Sequence, residues 1–226
     1  MAVQLAPHQV AAAEYASLAP RMILSDPSGT GKDYCAIAAM VEADRLPLLV
    51  SAPPTLIPVW HDHFERALPE WNVVEFERST DITVGTLRRC DVALIRHRQL
   101  SRSSELLGEA GFGGLIFDQC QMLACSWSQL AIATRSVVAA LPDESPVVAS
   151  SSQARSTPRC LAGVLEVLGL LDRFPAIAAV QRKRSWFEVP DAAEILDELR
   201  GQCLLARSKD SVLASLAGRG DRPLVA

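Results

Sequence analysis

The sequence predicts an α/β domain in which helices cover both faces of a mostly parallel sheet, and three observations lead there. Short apolar runs alternate with helix-period segments along most of the 226 residues. Hydrophobic residues make up 49% of the chain but aromatics only 5%, which suits helices rich in Ala, Val and Leu packed on a buried sheet. The residues capable of chemistry fall just after the apolar runs, where parallel strands joined by right-handed crossovers present their carboxyl ends to ligands.

In chain order the strand candidates are Met22-Ile23-Leu24, Pro47-Leu48-Leu49-Val50, Asp91-Val92-Ala93-Leu94-Ile95, Gly114-Leu115-Ile116-Phe117 and Pro146-Val147-Val148-Ala149. Each reads as a strand buried on both faces. From about 170 to 190 the pattern is less regular, with Pro175 and the basic run Arg182-Lys183-Arg184, as in an insertion or a surface subregion. Residues 1–217 are expected to form one domain, followed by a tail over 218–226 that contains Arg219-Gly220-Asp221. No internal repeat interrupts this scheme.

Composition narrows the function classes. The formal net charge is -4, whereas a dedicated nucleic-acid binder is usually basic overall. The six cysteines are scattered without a C-x-x-C pair, so reduced core thiols are expected rather than a disulfide framework. His61 and His63, two apart on a helix, point to different faces and make a poor zinc pair. With no signal peptide and no apolar run of spanning length, a cytoplasmic protein without membrane contact is expected.

After the first strand comes Asp26-Pro27-Ser28-Gly29-Thr30-Gly31-Lys32-Asp33, and then an apolar helical pattern. Strand, Gly-rich turn, Gly-Lys and helix is the context of a phosphate loop. Gly29 and Gly31 let successive backbone N–H groups turn around phosphate oxygens, with Thr30 between them and Lys32 reaching the β- and γ-phosphates. A Ser or Thr hydroxyl normally follows the Lys to ligate magnesium; here the residue is Asp33. Its carboxylate either joins a magnesium ion, or repels the phosphates by roughly 4 kcal/mol at about 4 Å and an effective dielectric near 20.

Together these segments resemble the N-terminal RecA-like lobe of the Swi/Snf-like branch of superfamily-two helicases, over nearly the whole chain. That family opens with Leu-x-Pro-Tyr/His-Gln, matched by Leu5-Ala6-Pro7-His8-Gln9, and the resemblance implies that Gln9 reads adenine. Its phosphate loop begins with Asp, as at Asp26. Pro53-Pro54 through Trp60 and Phe64 are similar to its next segment. Asp91 to His97 resemble the strand and nucleic-acid-facing turn that follow, which makes Arg96, His97 and Arg98 the nucleic-acid candidates. Arg88, Arg89 and Arg102 are secondary ones. Ser151-Ser152-Gln153-Ala154 stand near the third motif, and Leu204 to Leu213 look like the strand and helix that close the lobe. The implied fold is a RecA-like three-layer α/β/α domain, and the implied cofactor is ATP or ADP with magnesium.

The catalytic letters depart from the family. Asp118 keeps the carboxylate expected to hold magnesium, with Asp33 the other metal candidate. Gln119 stands where a Glu would activate water, and loss of a general base costs on the order of 10²–10⁴ in rate. The chain also stops near where a second lobe would begin, and such a lobe supplies arginine fingers worth about 10³–10⁵. An enzyme that is inactive or very slow alone is expected. Three readings stay open: a nucleotide-binding pseudo-ATPase module, which weighs most; the first half of a split DNA-dependent ATPase; or a structural scaffold. In the first two, a protein partner covers the cleft or supplies the second lobe, with DNA a further partner. Arg182-Lys183-Arg184 beside Trp186-Phe187 suggests stacking on a nucleic-acid strand, but a buried aromatic pair at a helix rim accounts for it better.

Overall fold

The computed structural model describes residues 1–217; the 218–226 tail and its Arg219-Gly220-Asp221 lie outside the described residues. The chain runs α1 (Pro7–Leu18), β1 (Arg21–Leu24), α2 (Lys32–Ala43), β2 (Leu48–Ala52), α3 (Ile57–Ala67), β3 (Val73–Glu75), α4 (Val84–Leu87), β4 (Val92–Arg96) and α5 (His97–Glu109). It continues through β5 (Gly114–Asp118), α6 (Gln129–Ala140), β6 (Val147–Ser150), α7 (Pro158–Val167), α8 (Pro175–Val180), α9 (Ala192–Arg200), β7 (Leu204–Leu205) and α10 (Lys209–Ala217). The strands form one sheet in the order β3-β4-β2-β5-β6-β1-β7, with every pairing parallel. This is a RecA-like three-layer α/β/α fold.

Alternation along each strand builds two cores. Leu48, Val50 and Ala52 of β2 join Met22, Leu24, Leu94 and Val148 beneath α2 and α3, where Trp60 and Phe64 are buried. Leu49, Ile95, Phe117 and Ala149 face the other way, into a layer filled from α5, α6, α7 and the segment beyond. Helix starts are marked in the sequence. Ser128 caps α6 by accepting the Ala131 N–H at 3.2 Å, and Thr157 caps α7 by accepting the Cys160 N–H at 3.0 Å, with Pro158 as its first helical residue.

All five apolar runs expected to be strands are strands. The edge strand β3 was not anticipated: three half-buried residues are too short to show a period. The irregular 170–190 segment folds as a 3-10 turn at Leu171–Arg173, α8 and a second 3-10 turn at Trp186–Glu188. Phe174 and Ile177 drive it into the core at 1% and 0% exposure. The expected buried aromatic pair is a correction. Trp186 is half-buried and donates its indole N–H to the Arg155 carbonyl at 2.8 Å, but Phe187 is fully exposed. All six cysteines are free, and no helix of the described residues is long and apolar enough to cross a membrane.

One close approach links the sheet to the loop after β5. A Cβ on Gly163 of α7 would lie 2.7 Å from the Leu123 carbonyl oxygen and 2.8 Å from that of Ala124. The missing side chain therefore lets α7 seat directly on backbone that leads away from Asp118. Gly163→Ala is expected to destabilise the fold by about 1–3 kcal/mol through this overlap despite the better helix propensity of Ala, measurable as a lower urea midpoint at unchanged slope.

Candidate functional site

At the carboxyl end of β1 the chain turns through Asp26 into the loop before α2. Gly29 and Gly31 both have positive φ, 78° and 73°, a conformation that L side chains resist. Gly31 carries a second constraint, since a Cβ there would come within 2.6 Å of Gln9 Nε2, whereas Gly29 has nothing within 4 Å of that position. Thr30 is buried, with its hydroxyl donating to the Pro27 carbonyl at 2.9 Å. Lys32 folds back across the loop and donates to the same carbonyl at 3.0 Å. The loop thus has the backbone of a phosphate cradle with its ammonium inside it, and it fits the phosphate part of a nucleotide.

The foundation of the loop is an ion pair that sequence reasoning missed. Asp26 is completely buried, and its carboxylate accepts the backbone N–H of Arg207 at 2.9 Å and Nε–H at 3.0 Å, together with an Nη–H. Arg207 also donates to the His8 carbonyl. His8 in turn donates from Nε2 to the Thr30 carbonyl at 2.8 Å, which fixes its tautomer because a carbonyl can only accept. Gln9 is buried. Its Oε1 accepts the Ala6 N–H at 2.8 Å and its amide nitrogen lies 3.5 Å from the Gly31 carbonyl oxygen, so the residue expected to meet adenine lies against the loop.

The residues expected to carry chemistry are brought together but already engaged. Asp118 is 5% exposed; Oδ2 accepts the Trp60 indole N–H at 3.0 Å and Oδ1 the Gln119 N–H at 2.7 Å. Burial raises its pKa above the usual carboxylate value, the Trp60 bond opposes this, and the charge of nearby Asp33 adds to the rise. Asp33 itself is engaged by α3, its Oδ2 3.3 Å from His63 Nδ1. Gln119 sits in the left-handed region, and its Oε1 accepts from Gln121 Nε2 at 2.7 Å. No group of three or more His, Cys, Asp or Glu converges among the described residues. Magnesium would rest on Asp33 and Asp118 with phosphate oxygens and water, a set it accepts.

The three nucleic-acid candidates are consecutive but differ in exposure. Arg96 is half-buried, paired with Glu75 at 2.8 Å and donating to the Glu77 carbonyl at 2.6 Å. His97 is buried; its ring stacks on Phe117 with centroids 4.4 Å apart, and Nδ1 lies 2.8 Å from Ser51 Oγ. Arg98 is exposed. Burial lowers the His97 pKa to about 4, opposed by the imidazole's interaction with the main-chain carbonyl of Asp118, which favours the protonated ring.

No protein-family model matches the sequence, and no curated protein matches it. Solved structures do. The SWI2/SNF2 ATPase core of Sulfolobus solfataricus in complex with dsDNA aligns over 96% of this chain with a TM-score of 0.78 and 18% identity. The SWI2/SNF2 ATPase core domain from the same organism aligns over 94% with a TM-score of 0.70 and 17% identity. The chain spans 47% and 45% of those two chains, a little under half of each. At this identity the likeness is one of fold alone.

Two outcomes follow from the site. Arg207→Ala strands the buried Asp26 charge and is expected to cost about 3 kcal/mol, seen as a drop of about 6–12 °C in Tm. His97 stays neutral in the fold while the unfolded chain takes up a proton below about 6.5, so its contribution is fully present above that pH. It is lost as pH falls towards about 4, to a total of about 3 kcal/mol. His97→Gln keeps a partner for Ser51 without titrating, and its chemical-denaturation stability should vary less between pH 7 and pH 4 than that of the wild type.

Proposed function

We propose that this chain is a nucleotide-binding pseudo-ATPase lobe, which takes the phosphates of ATP or ADP in the 26–33 loop and does not turn them over alone. One observation carries this reading: two left-handed glycines and an inward Lys32 are preserved in the loop, while the water-activating position is an amide engaged by Gln121. Backbone N–H groups of the loop and the amino end of α2 would bind phosphate oxygens. Lys32 would exchange the Pro27 carbonyl for a phosphate, and Gln9 would lie beside the base. Magnesium, when bound, would neutralise phosphate charge between Asp33 and Asp118. The His63 contact to Asp33 supports a site in which this carboxylate is drawn towards α3.

A second reading has one observation in its favour. The SWI2/SNF2 ATPase cores it resembles are about twice its length, so another chain or segment would complete the cleft and supply arginine fingers, as in a split ATPase. DNA contact at the Arg96-His97-Arg98 turn would then fall mainly to Arg98, the exposed member. Calorimetric titration of ATP and ADP, with and without magnesium, tests the proposal. Binding that strengthens with magnesium and weakens at least about tenfold in Lys32→Ala is expected, with turnover at background. No heat up to millimolar nucleotide would leave a scaffold carrying an inert loop, and turnover near ordinary enzyme rates of about 1–10³ per second would exclude a pseudo-enzyme.

A further inference from the structure

A second cluster of functional chemistry lies on the α7 side of the sheet. The loop after β5, the start of α7 and the turn after α8 enclose an open cavity of about 560 Å³. Trp127 stands at it 68% exposed, with the Arg159 guanidinium 5.1 Å from its ring centroid. Arg182 and Arg184 line the cavity from the turn after α8. The carboxylate in its wall, Glu166, is held by Arg135 at 2.8 Å. Arg159, Arg182, Lys183 and Arg184 have no carboxylate partner among the described residues. Three residues beyond Arg184 the Phe187 ring is fully exposed.

Uncompensated cations gathered at one cleft of a chain whose net charge is -4 create a local positive field facing solvent. Acidic side chains of a peptide would satisfy those cations but leave the exposed Trp127 ring at the cleft unexplained. A strand of unpaired nucleotides uses both features: phosphates meet the guanidinium groups, and a base stacks on the Trp127 ring, a contact open only to bases freed from a duplex. We infer that this cleft binds single-stranded polynucleotide, with Trp127 as the stacking surface and Arg159, Arg182 and Arg184 as phosphate contacts. The inference does not rest on nucleotide binding at Lys32, and it places the nucleic-acid surface away from the Arg96-His97-Arg98 turn.

The test is fluorescence anisotropy of the full chain with a labelled single strand of about 12 nucleotides, within the usual site size of such grooves. Binding is expected with a log–log salt slope of about -2, as three phosphate contacts at about 0.7 each require. Trp127→Ala should weaken it at least fivefold or so, and the exposed double variant Arg182→Glu/Arg184→Glu at least about tenfold. Lys32→Ala and Arg98→Glu should leave it unchanged, which separates this site from the nucleotide loop and from the other basic turn. An abasic strand should bind distinctly more weakly. The inference is overturned by no binding, by equal binding of the abasic strand, by preference for duplex, or by loss of binding in Arg98→Glu alone. It is equally overturned if a polyglutamate peptide binds more tightly than the strand and Arg182→Glu/Arg184→Glu abolishes that binding, which would mark an acidic-peptide site.

Discussion

A carboxylate with no access to water has to find its compensation inside the protein, and Asp26 sets that condition for this fold. It lies two residues beyond β1, after the buried Met22, Ile23 and Leu24, at 0% exposure, so the chain must bring a cation to it from elsewhere. Arg207 arrives from the far end of the sequence, 181 positions away, and only because β7 adds beside β1. The same guanidinium reaches the His8 carbonyl in α1, and His8 reaches the Thr30 carbonyl in the loop. Three distant stretches are thereby tied at one point. The position of the loop depends on the last strand as much as on the first.

The same logic explains why the acidic groups of the site are organised and yet already engaged. Asp118 is placed at the end of β5 by the sheet, but the residues that position it also occupy it: Trp60 from α3 and the Gln119 N–H each take one oxygen. Burial raises its pKa and so disfavours the charged form a metal needs. Gln119 faces Gln121 as a hydrogen-bond acceptor and has no basicity to offer a water. On the reading proposed above, the lobe would keep the architecture of nucleotide handling without the group that performs the chemical step.

The fold was largely legible because its signals are local. Five apolar runs of three to five residues, each followed by polar or small residues, read as strands buried on both faces, and helix-period segments between them imply parallel crossovers. The loop was legible for the same reason, as glycines and a lysine within eight residues. What could not be read were relations between distant residues: Asp26 with Arg207, Asp33 with His63, Asp118 with Trp60. The one available signal was Asp26 itself, a charge two residues beyond an apolar run, which requires a partner without naming it. The basic turn misled because a run of letters does not state which side chain is covered. Arg96 and His97 are turned into the protein, and only Arg98 faces out. At 182–187 the order is reversed, since the aromatic expected inside at Phe187 is the one left in solvent.

These relations also separate the letters a bare scaffold would need from those it would not. Gly31 is required by its left-handed turn, and a side chain there would also have to displace the Gln9 amide. Gly29 is required by the left-handed turn, whatever the loop binds. Asp26 is required by Arg207 and the closing strand. Lys32 is different. Its ammonium satisfies a single loop carbonyl, that of Pro27, which also accepts from Thr30. Removing that ammonium would leave no buried charge uncompensated, and the carbonyl would keep a donor. A half-buried cation with so little structural purpose, set among turned-in backbone amides at the start of a helix, has its natural counterpart in an anion. Lys32, more than the glycines that make the motif recognisable, therefore favours a loop that binds phosphate.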